Sequence, residues 1–140
     1  MRTLTEKAIE FAQKKHKGQL EDSGKSYFEA HLMVVYDLLK CITNDEEVLC
    51  AGLLHDTLED TETTLEELKR IFGHRIANLV YEVTHEGKAD EKGFYFPRLK
   101  SKEAIIVKMA DRISNLSRME SWDEKRQEHY LKNSKFWRSG

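Results

Sequence analysis

The chain has 140 residues, 34% charged and 39% hydrophobic, with 23 Lys plus Arg against 25 Asp plus Glu. That length supports one domain spanning 1–140 with its own core, and a net charge of −2 argues against a protein whose main task is coating nucleic acid. There is no signal-like N-terminal run and no stretch approaching a membrane span, and Cys41 and Cys50 read as buried free thiols, so a cytosolic protein is expected.

Taken in order, Thr3 and Glu6 have the spacing of a capping box, opening an amphipathic helix to about Lys17. Residues 18–28, with two glycines, read as a loop, and a second helix is predicted from Ala30 to Cys41. A third starts after Asn44-Asp45 and carries VLCAGLLHDTLED, apolar nearly all round, as a helix in the middle of a bundle should be. Thr63 with Glu66 predicts a cap on a short helix that stops at Gly73, and residues 75–84 continue as a further helix. Residues 85–97 read as a loop. Lys102 to Met119 form a long helix with Ile105, Ile106, Met109, Ile113 and Leu116 as its core stripe, and Ser121 with Glu124 opens a last, polar one. The expected fold is all-α, a bundle of about seven helices.

The chemistry concentrates in HDTLED, residues 55–60. His55 and Glu59 are four residues apart, as are Asp56 and Asp60, so each pair shares a helix face. Carboxylates on a buried helix are costly unless compensated, and a divalent cation would compensate them. Imidazole with carboxylate suits Mn, Fe, Zn or Mg. Two adjacent ligands are too few, and His31 and Asp111 are the candidates to complete the set. On the long helix Lys108, Asp111 and Asn115 form a polar stripe, with Arg112 beside it, able to hold a metal and a phosphate side by side. Each residue also has an ordinary reading: His31 as a hydrogen-bonded helix-start residue, Asp111 as half of an ion pair with Arg112, Glu59 and Asp60 as a solvated helix end. His16, His74, His85 and His129 read as surface or structural.

HDTLED, the upstream His31 and KMADRISNL at 108–116 together resemble the HD-domain metal-dependent phosphohydrolases, above all the hydrolase domain of RelA/SpoT proteins and related small stand-alone enzymes. HKGQ at 16–19, the Gly24…Tyr27…His31 segment, Phe72-Gly73 and VYEVT at 80–84 extend the likeness, in order, from about His16 to Leu116. The resemblance implies an HD-domain bundle in which His31, His55, Asp56 and Asp111 bind one divalent metal, typically Mn. It further implies that Glu59 and Asp60 position or deprotonate the attacking water and that Asn115 contacts the nucleotide. Lys108 and Arg112 are expected phosphate contacts from their position beside Asp111.

The reaction implied is removal of pyrophosphate from the 3′ position of guanosine tetra- or pentaphosphate. Where such hydrolases carry an Arg-Lys pair that holds guanine, this chain has Glu21-Asp22, and Leu32 rather than proline follows His31. A glutamate does not replace an arginine plane stacked on a base, so a different nucleotide is the competing substrate. A non-catalytic, metal-stapled binding module is the reading from another class, and the second acidic layer of Glu59 and Asp60 counts against it.

Overall fold

The structure is a computed structural model and describes residues 3–20, 24–84 and 97–117, with 124–125 and 127–128 beyond them. Among these, α1 is Leu4–Lys15, a π-helical turn covers Phe28–Leu32, and α2 is Met33–Lys40. Then come α3 (Glu46–Leu54), α4 (Thr57–Asp60), α5 (Leu65–Phe72), α6 (His74–Val83) and α7 (Lys102–Ser117). The all-α expectation holds, and no described helix is long and apolar enough to cross a membrane. Glu21-Asp22 and most of the 85–97 segment lie outside the described residues, as do His85, His129 and the start of the expected last helix.

Helix α3 is the axis of the bundle. Every residue from Val48 to Leu54 is buried, and α1, α2, α6 and α7 all pack against it. Ala8 and Ala12 give α1 a thin inner face. Gly52 serves the same end on α3, where a Cβ would collide with the Leu39 side chain of α2. The N-terminus of α3 is fixed by Asp45, whose Oδ1 accepts from the Glu47 N–H at 3.1 Å, so one orphan amide is satisfied. Thr3 caps α1 as expected, its hydroxyl accepting from the Glu6 N–H at 3.1 Å.

Three expectations are corrected. The third helix does not run through HDTLED. It ends at Leu54, and His55 and Asp56 occupy a turn before α4. The reason lies in two side chains that bond carbonyls near the break: His55 Nδ1 takes the Gly52 carbonyl at 2.6 Å and Thr57 Oγ1 that of Leu54 at 2.8 Å. The cap of α5 is Thr64 rather than Thr63, accepting from the Glu67 N–H at 3.1 Å. TETTLEE satisfies the capping pattern in two registers, and Thr63 is buried with its hydroxyl 2.6 Å from that of Thr61. Cys41 is exposed, because it sits where α2 has already left the core, whereas Cys50 is buried as expected.

The inner face of α7 also differs. Ala104, Val107, Ala110, Asp111 and Ser114 face the core, while Ile105, Met109, Ile113 and Leu116 are 40–49% exposed on the opposite side. Of the expected stripe only Ile106 packs against the core. Asp111 faces inward, and helical geometry then turns the large aliphatic residues outward. Three of the five inward side chains are alanine or serine, on the face that α7 packs against its neighbours in the bundle.

Candidate metal centre

Three separate elements converge at the end of α3. The π turn presents His31, the α3–α4 break presents His55 and Asp56, and α7 presents Asp111. The four offer His31 Nε2, His55 Nε2 and one oxygen from each carboxylate, all within 4.8 Å of one another. Asp111 Oδ1 is 3.0 Å from His31 Nε2 and 3.1 Å from His55 Nε2, and Asp56 Oδ2 is 3.5 Å and 3.1 Å from the same atoms. Both imidazoles are buried, with Asp111 beside them, so these are enclosed groups rather than a surface acidic patch.

The electrostatics follow from that enclosure. Burial alone would raise both carboxyls. For Asp56 the charge and hydrogen bond of His55 outweigh it, and for Asp111 the Lys108 ammonium and hydrogen bonds from both histidines do so, holding each below the ordinary aspartate range. Burial likewise works against a charged His55, yet the charges of Asp56 and Asp111 and their hydrogen bonds hold its proton well above the usual histidine range. Without a metal, a proton on His55 supplies positive charge where the carboxylates converge. A divalent cation would replace that proton with more charge and would suit two imidazole and two carboxylate donors. The donor set therefore fits the metal that the sequence implies.

Surrounding groups hold these side chains in place. The Tyr27 hydroxyl donates to Asp56 Oδ2 at 2.5 Å, and its ring lies 5.1 Å from that of His31, centre to centre. The Gly52 carbonyl can only accept, so His55 carries hydrogen on Nδ1, which leaves Nε2 as the nitrogen able to face a cation. Ser114 Oγ stands 2.9 Å from His31 Nδ1. Lys108 Nζ is 3.3 Å from Asp111 Oδ2, the oxygen turned away from the histidines.

The remaining expected residues lie around this cluster. Glu59 and Asp60 are on α4, one turn beyond His55 and Asp56 and exposed at the surface. Neighbouring protein mass raises the Asp60 carboxyl above its ordinary value, and the charges of Asp56 and Glu59 add to it. Asn115 follows Asp111 by one turn, half-buried on the same face. Arg112 is turned about 100° round the helix from Asp111, also half-buried. Tyr27, Gly52 and Ser114 were not singled out as site residues by sequence reading. Spacing carries a signal for each: Tyr27 precedes His31 by four, Gly52 precedes His55 by three, and Ser114 follows Asp111 by three. His16, read as structural, is buried with Nδ1 2.9 Å from Gln19 Oε1 and its ring against Tyr27.

The HD-domain family model matches residues 8–92. The guanosine-3′,5′-bis(diphosphate) 3′-pyrophosphohydrolase MESH1 of Xenopus tropicalis is 38% identical over 138 residues, covering 89% of this chain and 76% of that protein. The enzyme of the same activity name from Spiroplasma citri is 42% identical over 122 residues, and there the chain spans only 16% of the relative's length. A solved structure described as a metazoan ortholog of SpoT that hydrolyses ppGpp superposes with a TM-score of 0.78 at 28% identity. That match covers 94% of this chain and 81% of the other.

Proposed function

The chain belongs to the HD-domain family, in its RelA/SpoT-like branch, and on that premise we propose that it hydrolyses guanosine 3′,5′-bis(diphosphate) to GDP and pyrophosphate. The observation that carries the reading is the convergence of His31, His55, Asp56 and Asp111, with an acidic pair one helical turn away. The proposed ligands of one divalent metal, Mn in the first instance, are these four residues. When bound, that metal would supply Lewis-acid charge for phosphate oxygens and activation of a water molecule.

The chain's own residues do the rest. Glu59 and Asp60 accept the proton that the attacking water loses, and the raised carboxyl of Asp60 suits it to hold one. Water oxygen bonds to the 3′-proximal phosphorus as the bond to the ribose 3′ oxygen breaks, and the held proton passes to that oxygen. Lys108 is anchored to Asp111 and acts near the phosphates mainly by charge, while Asn115 and Arg112 serve as further contacts for the nucleotide. The substrate is thus a phosphorylated small molecule, and neither nucleic acid nor membrane is part of the reading. The 140 residues are read as one domain, working in the cytosol.

A second reading keeps the mechanism and changes the nucleotide. It is favoured by Glu21-Asp22 at the place where related hydrolases carry the guanine-holding Arg-Lys pair. The test is to load the protein with Mn²⁺, offer a nucleotide panel that includes guanosine tetraphosphate, and resolve the products by chromatography. GDP and pyrophosphate, absent with Asp56→Ala, would support the first reading. Turnover of another nucleotide alone would establish the second, and no turnover with metal still bound would favour a binding module.

A further inference from the structure

The two histidines of the cluster are oriented by different means. His55 is held locally, its Nδ1 bonded to the carbonyl of Gly52 three residues earlier. His31 is held across the fold: its Nδ1 meets the Ser114 side chain, Oγ at 2.9 Å and 83 residues away in the chain. Both His31 and Ser114 are fully buried, so bulk water does not compete for this bond. Ser114 follows Asp111 by three positions on α7, and one helical turn therefore brings both groups to the same imidazole. Asp111 Oδ1 lies 3.0 Å from Nε2 while Ser114 Oγ takes the opposite nitrogen.

We propose that Ser114 is a positioning residue for the metal centre, its hydroxyl accepting the Nδ1 hydrogen of His31 so that a bare Nε2 faces Asp56 and Asp111. This rests on the assignment of His31 as a ligand. An imidazole ligates through the nitrogen that lacks hydrogen, and the partner of the other nitrogen decides both tautomer and ring angle. Here that partner is carried by α7 itself. Docking of α7 thus delivers a carboxylate ligand and the orientation of a histidine ligand in one step.

The test uses the full chain, stripped of metal and titrated with Mn²⁺ by calorimetry, together with the visible spectrum of the Co²⁺-loaded protein. Ser114→Ala removes one oxygen and leaves a strong helix former, so the variant keeps the fold, with metal-free melting lowered by the loss of one buried hydrogen bond. It is expected to bind Mn²⁺ about tenfold more weakly and to shift the Co²⁺ bands, with Ser114→Thr restoring both. Parent-like affinity and bands in Ser114→Ala, or an effect confined to melting temperature, would overturn the proposal. Asp111→Ala separates this from the underlying assignment. If it too binds Mn²⁺ like the parent, the metal centre itself has been misplaced. If it abolishes binding while Ser114→Ala binds Mn²⁺ like the parent, only the role of Ser114 falls.

Discussion

The Nε2 atoms of His31 and His55 stand 3.2 Å apart, tip to tip and buried, although 24 residues separate them in the chain. Two imidazole nitrogens at that distance need a hydrogen or a cation between them, and Asp56 and Asp111 close around the same point. Removing one carboxylate should therefore do more than weaken a contact. Asp56→Ala and Asp111→Ala are each expected to abolish measurable Mn²⁺ binding in calorimetry. They should also abolish the metal-dependent rise in melting temperature, which for the parent corresponds to about 2.7 kcal/mol at a metal concentration 100 times its dissociation constant. A parent-like melting shift in either variant would remove that residue from the ligand set.

Glu59 belongs to a different layer. It sits on α4, exposed, one turn past His55. Glu59→Ala should keep the parent's Mn²⁺ affinity within about twofold while turnover falls by roughly 10² to 10⁴, the usual loss for a proton-transfer group. Matched calorimetry and rate measurements decide this. Equal losses in both would make Glu59 a ligand.

Proton linkage should follow the two kinds of shift. The folded-state pKa of His55 is raised, so its stabilisation of the metal-free protein is fully present below about pH 6.5 and is lost as pH rises through the folded value. Asp56 and Asp111 are depressed, and their stabilisation is present above about pH 3.9 and lost as pH falls through their folded values. Metal must displace the His55 proton, so Mn²⁺ affinity should climb with pH until that proton is gone. Calorimetry in buffers of different ionisation enthalpy should register proton release on binding. Buffer-independent heats would contradict it.

The spacing of HDTLED, with His31 before it and Asp111 after it, made the membership of this cluster legible without coordinates. The cost of burying carboxylates beside histidine marked HDTLED and left His31 and Asp111 as candidates, and the resemblance to the HD phosphohydrolases joined the four. Pattern reading did not find the break at His55, because VLCAGLLHDTLED has continuous helical character and the interruption arises from side chains bonding the Gly52 and Leu54 carbonyls. Nor did it find the true inner face of α7. Counting large aliphatics assigns Ile105, Met109, Ile113 and Leu116 to the core, whereas the face that turns inward is the one Asp111 shares with Ala104, Val107, Ala110 and Ser114. Tertiary contact overrode periodicity in both cases.

Close approach underlies a prediction about Gly52. An added Cβ meets the buried Leu39 side chain, which has little room to move. Gly52→Ala should lower stability by about 1–3 kcal/mol in urea titration. It should weaken Mn²⁺ binding as well, because pushing α3 away from Leu39 displaces the residue 52 carbonyl that His55 bonds. Parent-like values of both would show that α2 yields freely at this point.

At the other end of α3, Asp45 caps the helix and receives Arg75 through two contacts, Nη1 to Oδ1 at 3.0 Å and Nη2 to Oδ2 at 2.8 Å. Hydrogen bonding from Arg75 holds its carboxyl below the ordinary aspartate value. Asp45→Ala should cost about 1 kcal/mol near neutral pH, chiefly from the lost cap, and leave Mn²⁺ affinity unchanged. Because the shift is downward, the deficit should persist above about pH 3.9 and shrink as pH falls through the folded value. A deficit that grows on acidification would contradict the assignment.

The break between α3 and α4 divides the segment into two parts with different tolerance for change. On its buried side, substitutions at Leu53, Leu54 or His55 are felt by the whole bundle. On its exposed side, Glu59 and Asp60 stand on four residues of helix with solvent beside them. Inheritance can therefore revise the acidic pair, and with it the proton transfer proposed for it, while the scaffold that gathers the two histidines and two aspartates passes unchanged. Descendants that keep the buried cluster and change the exposed pair are the variation this architecture makes easiest to reach.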